Sequence, residues 1–414
     1  LPVAKAVVLL KVVKFGGSSV ASGEKVARAA KAIVQDVKRG NRIVVVVSAM
    51  GDSTNRLLTI ANGACGGSPA PEDLDEILAM GERISIRMFA AALRSLGAEP
   101  VLVDPQTSLW PVITDSTPGS AKPDLAKTAV RARETMLPLL EEGKIPVVAG
   151  FIGIDGANRI TTIGRGGGDT SASLMGNVLH ADEVVIVTDV DGILSADPRE
   201  IPDARILNCI TVQELWDLAV NGAGVMHHLS LRYKRKGTVI RVVNNEKGDI
   251  MTKGTEITGE LESVGFLVGL GKEPKAAVTV VGDQMDQRRG LLYRFSRQLS
   301  EADVTIYSIS ASTYSITFYV DEKMERTAVA SLHELVVEDD KLKAVTSRGG
   351  IGLITVAAQG LQDKASMLSR IGTLLEEQGH QLIGVNTSTA ELTLLVEWED
   401  AEACRDVLHS GLAS

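Results

Sequence analysis

The sequence predicts an α/β fold: an open, mostly parallel sheet flanked by helices, followed by two small α+β modules. Three observations predict it. Residues 7 to about 245 alternate continuous valine- and isoleucine-rich runs with stretches of helical spacing, the order expected of strands buried on both faces under crossover helices. After residue 258 the texture changes. From there an order of strand, helix, strand, strand, helix occurs twice, about 75 residues apart, a spacing too long for a solenoid repeat.

In order, the first strand is the apolar run ending in "VVKF" (12–15), and helical spacing follows over 21–39. "RIVVVVSAM" (42–50) is the second strand, then a helix over 72–96 and the strand "EPVLVD" (99–104). A helix over 123–142 precedes the strands "IPVVAGFIG" (145–153), "DEVVIVTDV" (182–190) and "TVIRVVN" (238–244). The polar, glycine-bearing stretch 244–260 reads as a connection. The expected domains are therefore 1–258, 259–345 and 346–414, the last taking its first strand from about 259–275.

Composition narrows the function. Apolar residues make up 44% and aromatics 3%, so the cores are aliphatic. A formal net charge of −9 gives no electrostatic reason to expect nucleic acid or an anionic membrane as partner. An anionic ligand would need cations gathered locally. Cys65, Cys209 and Cys404 lie far apart, which fits neither a disulfide framework nor a zinc site and suits a reducing cytoplasm. The apolar start is broken by Lys5 and Lys11 and is too short for a membrane span.

The chemistry concentrates in four loops that follow strands. "KFGGSS", Lys14 to Ser19, offers Gly16, Gly17 and Ser18 as bare backbone at a helix start, which favours an anion, with Lys14 as a charge to follow a phosphoryl group. A tight turn with a solvated lysine is its structural alternative. "SAMGDSTN" (48–55) brings small hydroxyls, Ser48 and Thr54 among them, or else only a helix cap. "TTIGRGGGDTSA" (161–172) sets three glycines between Arg165 and Asp169, where arginine suits bidentate capture of a carboxylate or phosphate. "TDVDGILSADPR" (188–199) crowds Thr188, Asp189, Asp191, Asp197 and Arg199 into one turn, either a nucleotide edge or a capped turn, without the later ligands of a calcium loop. Glu82, in "LAMGERIS", stands among apolar residues on a helix, a position usually solvated. No Walker-type phosphate loop and no dinucleotide fingerprint occurs.

These segments, in this order, resemble the aspartate kinases of the amino-acid kinase family, with "VVKFGGSSV", "VVVSAMGDSTNRLL", "MGERIS", "TTIGRGGGDTSA" and "TDVDGILSADPREIPDA" in their places. The paired carboxy-terminal modules resemble that family's tandem ACT domains. The resemblance implies the amino-acid kinase fold and ATP-dependent phosphorylation of the L-aspartate β-carboxylate, the first step toward lysine, threonine and methionine. It implies Mg2+ held mainly by the nucleotide phosphates, feedback control by an amino-acid effector, and a homo-oligomer formed through the ACT modules. By resemblance, Lys14 and the amides of Gly16 and Gly17 would hold phosphates. Ser48, Thr54, Glu82 and Arg165 would take aspartate, Asp169 would organise the centre, and Thr188, Asp189 and Arg199 would take the nucleotide. No metal ligands are implied in the protein itself.

The family pattern is not kept throughout. Gly168 replaces a serine, Thr170 an aromatic residue, Leu194 a tyrosine, and Gly224 a lysine expected at the nucleotide phosphates. Arg232, Lys234 and Lys236 are candidate substitutes for that charge, and His227 and His228 candidate phosphate neighbours. Two alternatives follow: a catalytically weakened, amino-acid-binding regulatory homologue, or a kinase with another amino-acid or small carboxylate acceptor.

Overall fold

The computed structural model describes residues 8–199, 201–220, 226–260, 266–358, 364–388 and 391–413. Two compact units divide the chain between residues 261 and 262.

In the first unit the aliphatic runs become β1 (Leu10–Phe15), β2 (Arg42–Val47), β3 (Pro100–Val103), β4 (Ile145–Ala149), β5 (Ile152–Ile154), β6 (Ile160–Thr162), β7 (Glu183–Thr188), β8 (Cys209–Thr211), β9 (Val239–Asn244) and β10 (Thr255–Thr258). Between them lie α1 (Gly23–Lys38), α2 (Ser53–Cys65), α3 (Pro71–Ser95), α4 (Leu125–Glu141), α5 (Gly167–Val178), α6 (Val212–Val220) and α7 (His228–Leu231). The main sheet runs β3-β4-β2-β1-β7-β9-β10-β8. It is parallel from β3 to β9, after which β10 returns antiparallel with β8 beside it.

The parallel core explains the composition of the strands. Val44 to Val47 are wholly buried because helices cover both faces. Along β1 the side chains alternate: Lys11 reaches Asp36 on α1 and Phe15 meets Phe89 of α3, whereas Lys14 faces α5. α1 starts where the Ser22 side chain accepts from the Lys25 amide and α4 where Asp124 accepts from Lys127. α3 opens on Pro71, whose missing N–H costs nothing there.

One expected strand is two. The run 145–153 breaks after Ala149 because Phe151 adopts a positive φ of 68°. β5 leaves the main sheet and pairs with β6 as a separate hairpin, Ile152 opposite Thr162.

The second unit contains β11 (Phe266–Leu270), β12 (Lys275–Gly282), α8 (Leu291–Glu301), β13 (Ile306–Ala311), β14 (Ser315–Asp321), α9 (Glu325–Glu338), β15 (Leu342–Ala358), α10 (Lys364–Glu376), β16 (Gly384–Thr387), β17 (Glu391–Glu397) and α11 (Ala401–Ala413). Its antiparallel sheet runs β13-β14-β12-β15-β17-β16, with β11 also on β15. Two larger apolar cores lie on it, beside a smaller cluster of Tyr319, Ile351, Leu353 and Leu395. One joins Val278, Phe295, Phe318 and Leu332, and the other Val268, Ile354, Ile371, Leu394 and Leu408.

β15 serves both. Its first half pairs with β12 and its second half with β17 and β11, and the register shifts between them near Gly349 and Gly350. The expected border at 345/346 therefore falls inside a single strand. Gly349 and Gly350 make a bulge there.

Candidate active site

Four strand-following loops converge at the carboxyl edge of the parallel strands, where open α/β sheets bind ligands. Backbone bonds stitch the first two together. The Ser48 amide donates to Phe15 O at 3.1 Å and the Gly51 amide to Gly17 O at 3.0 Å. A Cβ on Gly17 would lie 2.8 Å from Ala49 O, so only glycine lets these loops touch. The third loop closes in from α5. A Cβ on Gly168 would stand 2.5 Å from Ser48 Oγ and 3.3 Å from Lys14 Cε. The family's serine would not fit here without a shift, and this glycine brings α5 onto the other two loops.

Lys14 and Asp169 form the centre. Lys14 Nζ lies 2.6 Å from Asp169 Oδ1, both side chains mostly buried, with Asp169 in the first turn of α5. The carboxylate fixes an ammonium that would otherwise swing on four methylenes. Arg165 is exposed one turn earlier. His227 sits beside both Arg165 and Asp169. Burial, helped by Arg165 and opposed by Asp169, holds its pKa below the usual imidazole value.

Glu82 is not the solvated residue that its helix suggests. It is 4% exposed, and its Oε1 accepts the Ala49 amide at 2.9 Å. Its Oε2 is buried and has no hydrogen-bonding partner among the described residues. Burial raises its pKa from 4.5 to about 7, against the lowering effect of the Ala49 bond. An unfilled buried acceptor of this kind suits a cationic ligand group.

The phosphate loop departs from expectation at one atom. The Gly16 amide donates to Val187 O at 3.1 Å, so Gly16 anchors the loop to β7. Among the described residues, the amides of Gly17 and Ser18 have no backbone acceptor outside their own helical turn. The Ser18 carbonyl accepts from Lys25 Nζ at 2.8 Å, which steadies the same turn.

Ser19, Asn244 and Asn245 complete the scaffold, and the sequence reading passed over all three. Ser19 Oγ donates to Val187 O and accepts from Asn245 Nδ2, while Asn244 Nδ2 donates to Asp191 Oδ1. Two asparagines at the end of β9 thus tie the phosphate loop to the turn after β7. The doubled amide side chain at a strand end was the available signal.

The remaining candidates lie farther from this centre. Thr54 is half-buried in the first turn of α2. Thr188 bonds Asp189, which is exposed. Arg199 is 88% exposed and clasps Asp197, whose pKa this bond lowers to about 2. Of the substitute cations, Lys234 is buried with its ammonium on Gly259 O, and Lys236 pairs with Glu260. Arg232 is half-buried, and desolvation lowers its pKa. Gly224 lies outside the described residues, as does the His228 side chain. Among the described residues no group of three or more His, Cys, Asp or Glu side chains could hold a metal. None of the described helices is long and apolar enough to cross a membrane.

Residues 10–244 match the amino acid kinase family and residues 278–336 match an ACT domain. The chain belongs to the amino acid kinase family. Within that family it groups with the aspartokinases. It is 34% identical over 417 residues to the aspartokinase of Mycolicibacterium smegmatis, covering 97% of this chain and 96% of that protein. To the aspartokinase of Corynebacterium glutamicum it is 33% identical over 414 residues, with 97% and 95% covered. Among solved structures, the aspartate kinase from Synechocystis superposes with a TM-score of 0.79 at 28% identity, covering 98% of this chain and 70% of that one. E. coli aspartokinase III in complex with aspartate and ADP matches with a TM-score of 0.56 at 26% identity, over 98% and 100% of the two chains. A second structure of that enzyme contains lysine and aspartate.

Proposed function

We propose that this amino acid kinase transfers the γ-phosphoryl group of ATP to the β-carboxylate of L-aspartate, giving 4-phospho-L-aspartate and ADP, under feedback control through its ACT modules. The observation that carries this reading is the Lys14–Asp169 pair enclosed by three side-chain-poor loops. The acceptor carboxylate is already ionised at neutral pH, so no general base is needed. The difficulty is electrostatic, since an anion must approach a polyanion. Catalysis is therefore a matter of positioning and of charge stabilisation.

In this reading the Lys14 ammonium and the amides of Gly17 and Ser18 hold the transferring phosphoryl oxygens. Asp169 keeps Lys14 aimed at them. Glu82 takes the ammonium of aspartate, Arg165 its α-carboxylate, and Ser48 and Thr54 line its path. The turn bearing Thr188, Asp189 and Arg199 receives the nucleoside. One acceptor oxygen bonds to phosphorus as the bond to the ADP oxygen breaks. Mg2+ brought by the nucleotide would neutralise phosphate charge.

The second unit is read as two ACT modules that share β15, the second taking β11 as an extra strand. Its outer strands, β13 and β16, are the edges through which subunits would pair. The effector is an amino acid, with the turn at 282–290 as one candidate site. Most of the matching turn at 358–366 lies outside the described residues. Free thiols at Cys65 and Cys209 suit a cytoplasmic enzyme.

Incubation with L-aspartate, MgATP and hydroxylamine should yield aspartyl hydroxamate, and folded protein giving none would reject the reading. Gly224 in place of the family lysine favours one other reading, a regulatory homologue. Nucleotide binding without turnover would establish that instead.

A further inference from the structure

Asp75 is a buried carboxylate that the reaction does not use. It is 2% exposed and, among the described residues, pairs with no cation. Four hydrogen bonds hold it. Its Oδ1 accepts the Gly119 amide at 3.0 Å and the Thr162 hydroxyl at 2.6 Å. Its Oδ2 accepts the Gly119 amide at 3.1 Å and the Thr162 amide at 3.2 Å. The Ala121 amide closes the circuit by donating to Thr162 O at 2.9 Å. Burying an anion without a counter-charge is costly, and packing alone would be served better by an apolar side chain.

The placement of these partners gives Asp75 its meaning. Asp75 and Glu82 are seven residues apart on α3, two turns along one face. Thr162 ends β6, three residues before Arg165. One helix therefore carries Glu82 directly and grips the root of the Arg165 loop seven residues away. The grip is made to backbone amides, so it fixes where the chain lies and not merely how it packs.

We infer that Asp75 is a positioning residue that sets the span between Glu82 and Arg165, and through it governs recognition of an α-amino acid acceptor but not of the nucleotide. This inference rests on the roles given above to Glu82 and Arg165. The ligand class it selects carries an ammonium and a carboxylate at a fixed separation. The backbone of the loop after β1 has anchors of its own, since Gly16, Gly17 and Ser19 are held by β7 and by the loop after β2, and Asp169 is held by its place in α5.

The test is a kinetic comparison of Asp75→Asn with the parent chain, reading ADP release. Asparagine keeps the shape but exchanges an acceptor oxygen for an NH2 that meets N–H donors. KM for L-aspartate should rise about tenfold, while KM for ATP and kcat stay within about twofold. The preference for L-aspartate over its α-amide should shrink, a readout that a merely structural role would not move. Asp36→Asn serves as the control: it removes a buried carboxylate from Lys11, on α1, and should leave both ratios unchanged. If Asp75→Asn does not fold, Thr162→Val, which removes the 2.6 Å bond, should shift the same ratios by about threefold.

A parallel rise in both KM values, or no change in the aspartate constant, overturns the inference. Glu82→Gln and Arg165→Ala separate it from the reading beneath it. If neither alters KM for aspartate, the assigned acceptor site is wrong. If both do and Asp75→Asn does not, only the positioning role falls.

Discussion

The two units spend their polar groups differently. In the first, buried side-chain atoms are left without hydrogen-bonding partners: Glu82 Oε2, Thr170 Oγ1, Ser173 Oγ and Asn245 Oδ1. In the second, Arg288 Nη1 is the sole example among the described residues. There the charges close on themselves, Lys275 with Asp321, Arg288 and Arg294 with Asp339, and Lys323 with Glu273. Unfilled valence is expensive in a core, so it persists where a ligand completes it. A parallel sheet whose loops all open on one edge can collect such groups. The antiparallel sheet of the second unit satisfies them locally, between neighbouring elements.

This contrast makes first-unit rim substitutions kinetic and second-unit core substitutions thermodynamic. The largest effect is expected at Lys14. Lys14→Ala should lower turnover at least about a thousandfold, since on the proposed assignment it removes a fixed cation that holds the phosphoryl group, while thermal melting moves by only a few degrees. A collapse of the fold instead would break the comparison. Next comes the opposite case, Phe295→Ala. It empties the core where Phe295 meets Phe318 edge-on at 6.0 Å and should cost about 3–5 kcal/mol in a denaturant melt.

Glu82 tests a group that belongs to both categories. Glu82→Gln should raise KM for aspartate about tenfold. In the parent chain that constant should climb as pH falls below about 7, because protonation removes the charge that meets the ammonium. The glutamine variant should flatten the profile. Stability runs the other way. The fold binds this proton more tightly than the unfolded chain does, so the contribution is complete below pH 4.5 and is lost as pH rises through about 7. The smallest effect belongs to Arg199. Its pair with Asp197 is solvent-exposed, and Arg199→Ala should change KM for ATP by less than about threefold and leave the melting temperature essentially unchanged.

The parts that the sequence disclosed are those governed by neighbours in the chain. Strands buried on both faces read as unbroken valine runs, and the loops after β1 and β6 announce themselves through glycines beside Lys14, Arg165 and Asp169. Contacts between distant segments were silent. Glu82 looks like helix surface until Gly81 is seen against Ala49, where an added Cβ would lie 2.8 Å from the alanine methyl. Asp75 carries no local mark at all, because its partners sit 44 and 87 residues away. The break at Phe151 and the continuity of β15 were hidden for a related reason, since both depend on pairing with other strands rather than on adjacent residues.

The desolvated carboxyl of Glu82 has a thermochemical consequence. Burial raises its pKa to about 7, so the empty site holds a proton more readily than a solvated carboxyl does. If the ammonium of aspartate seats there, as proposed, that proton is expelled, and the heat of aspartate binding should depend on the ionisation enthalpy of the buffer.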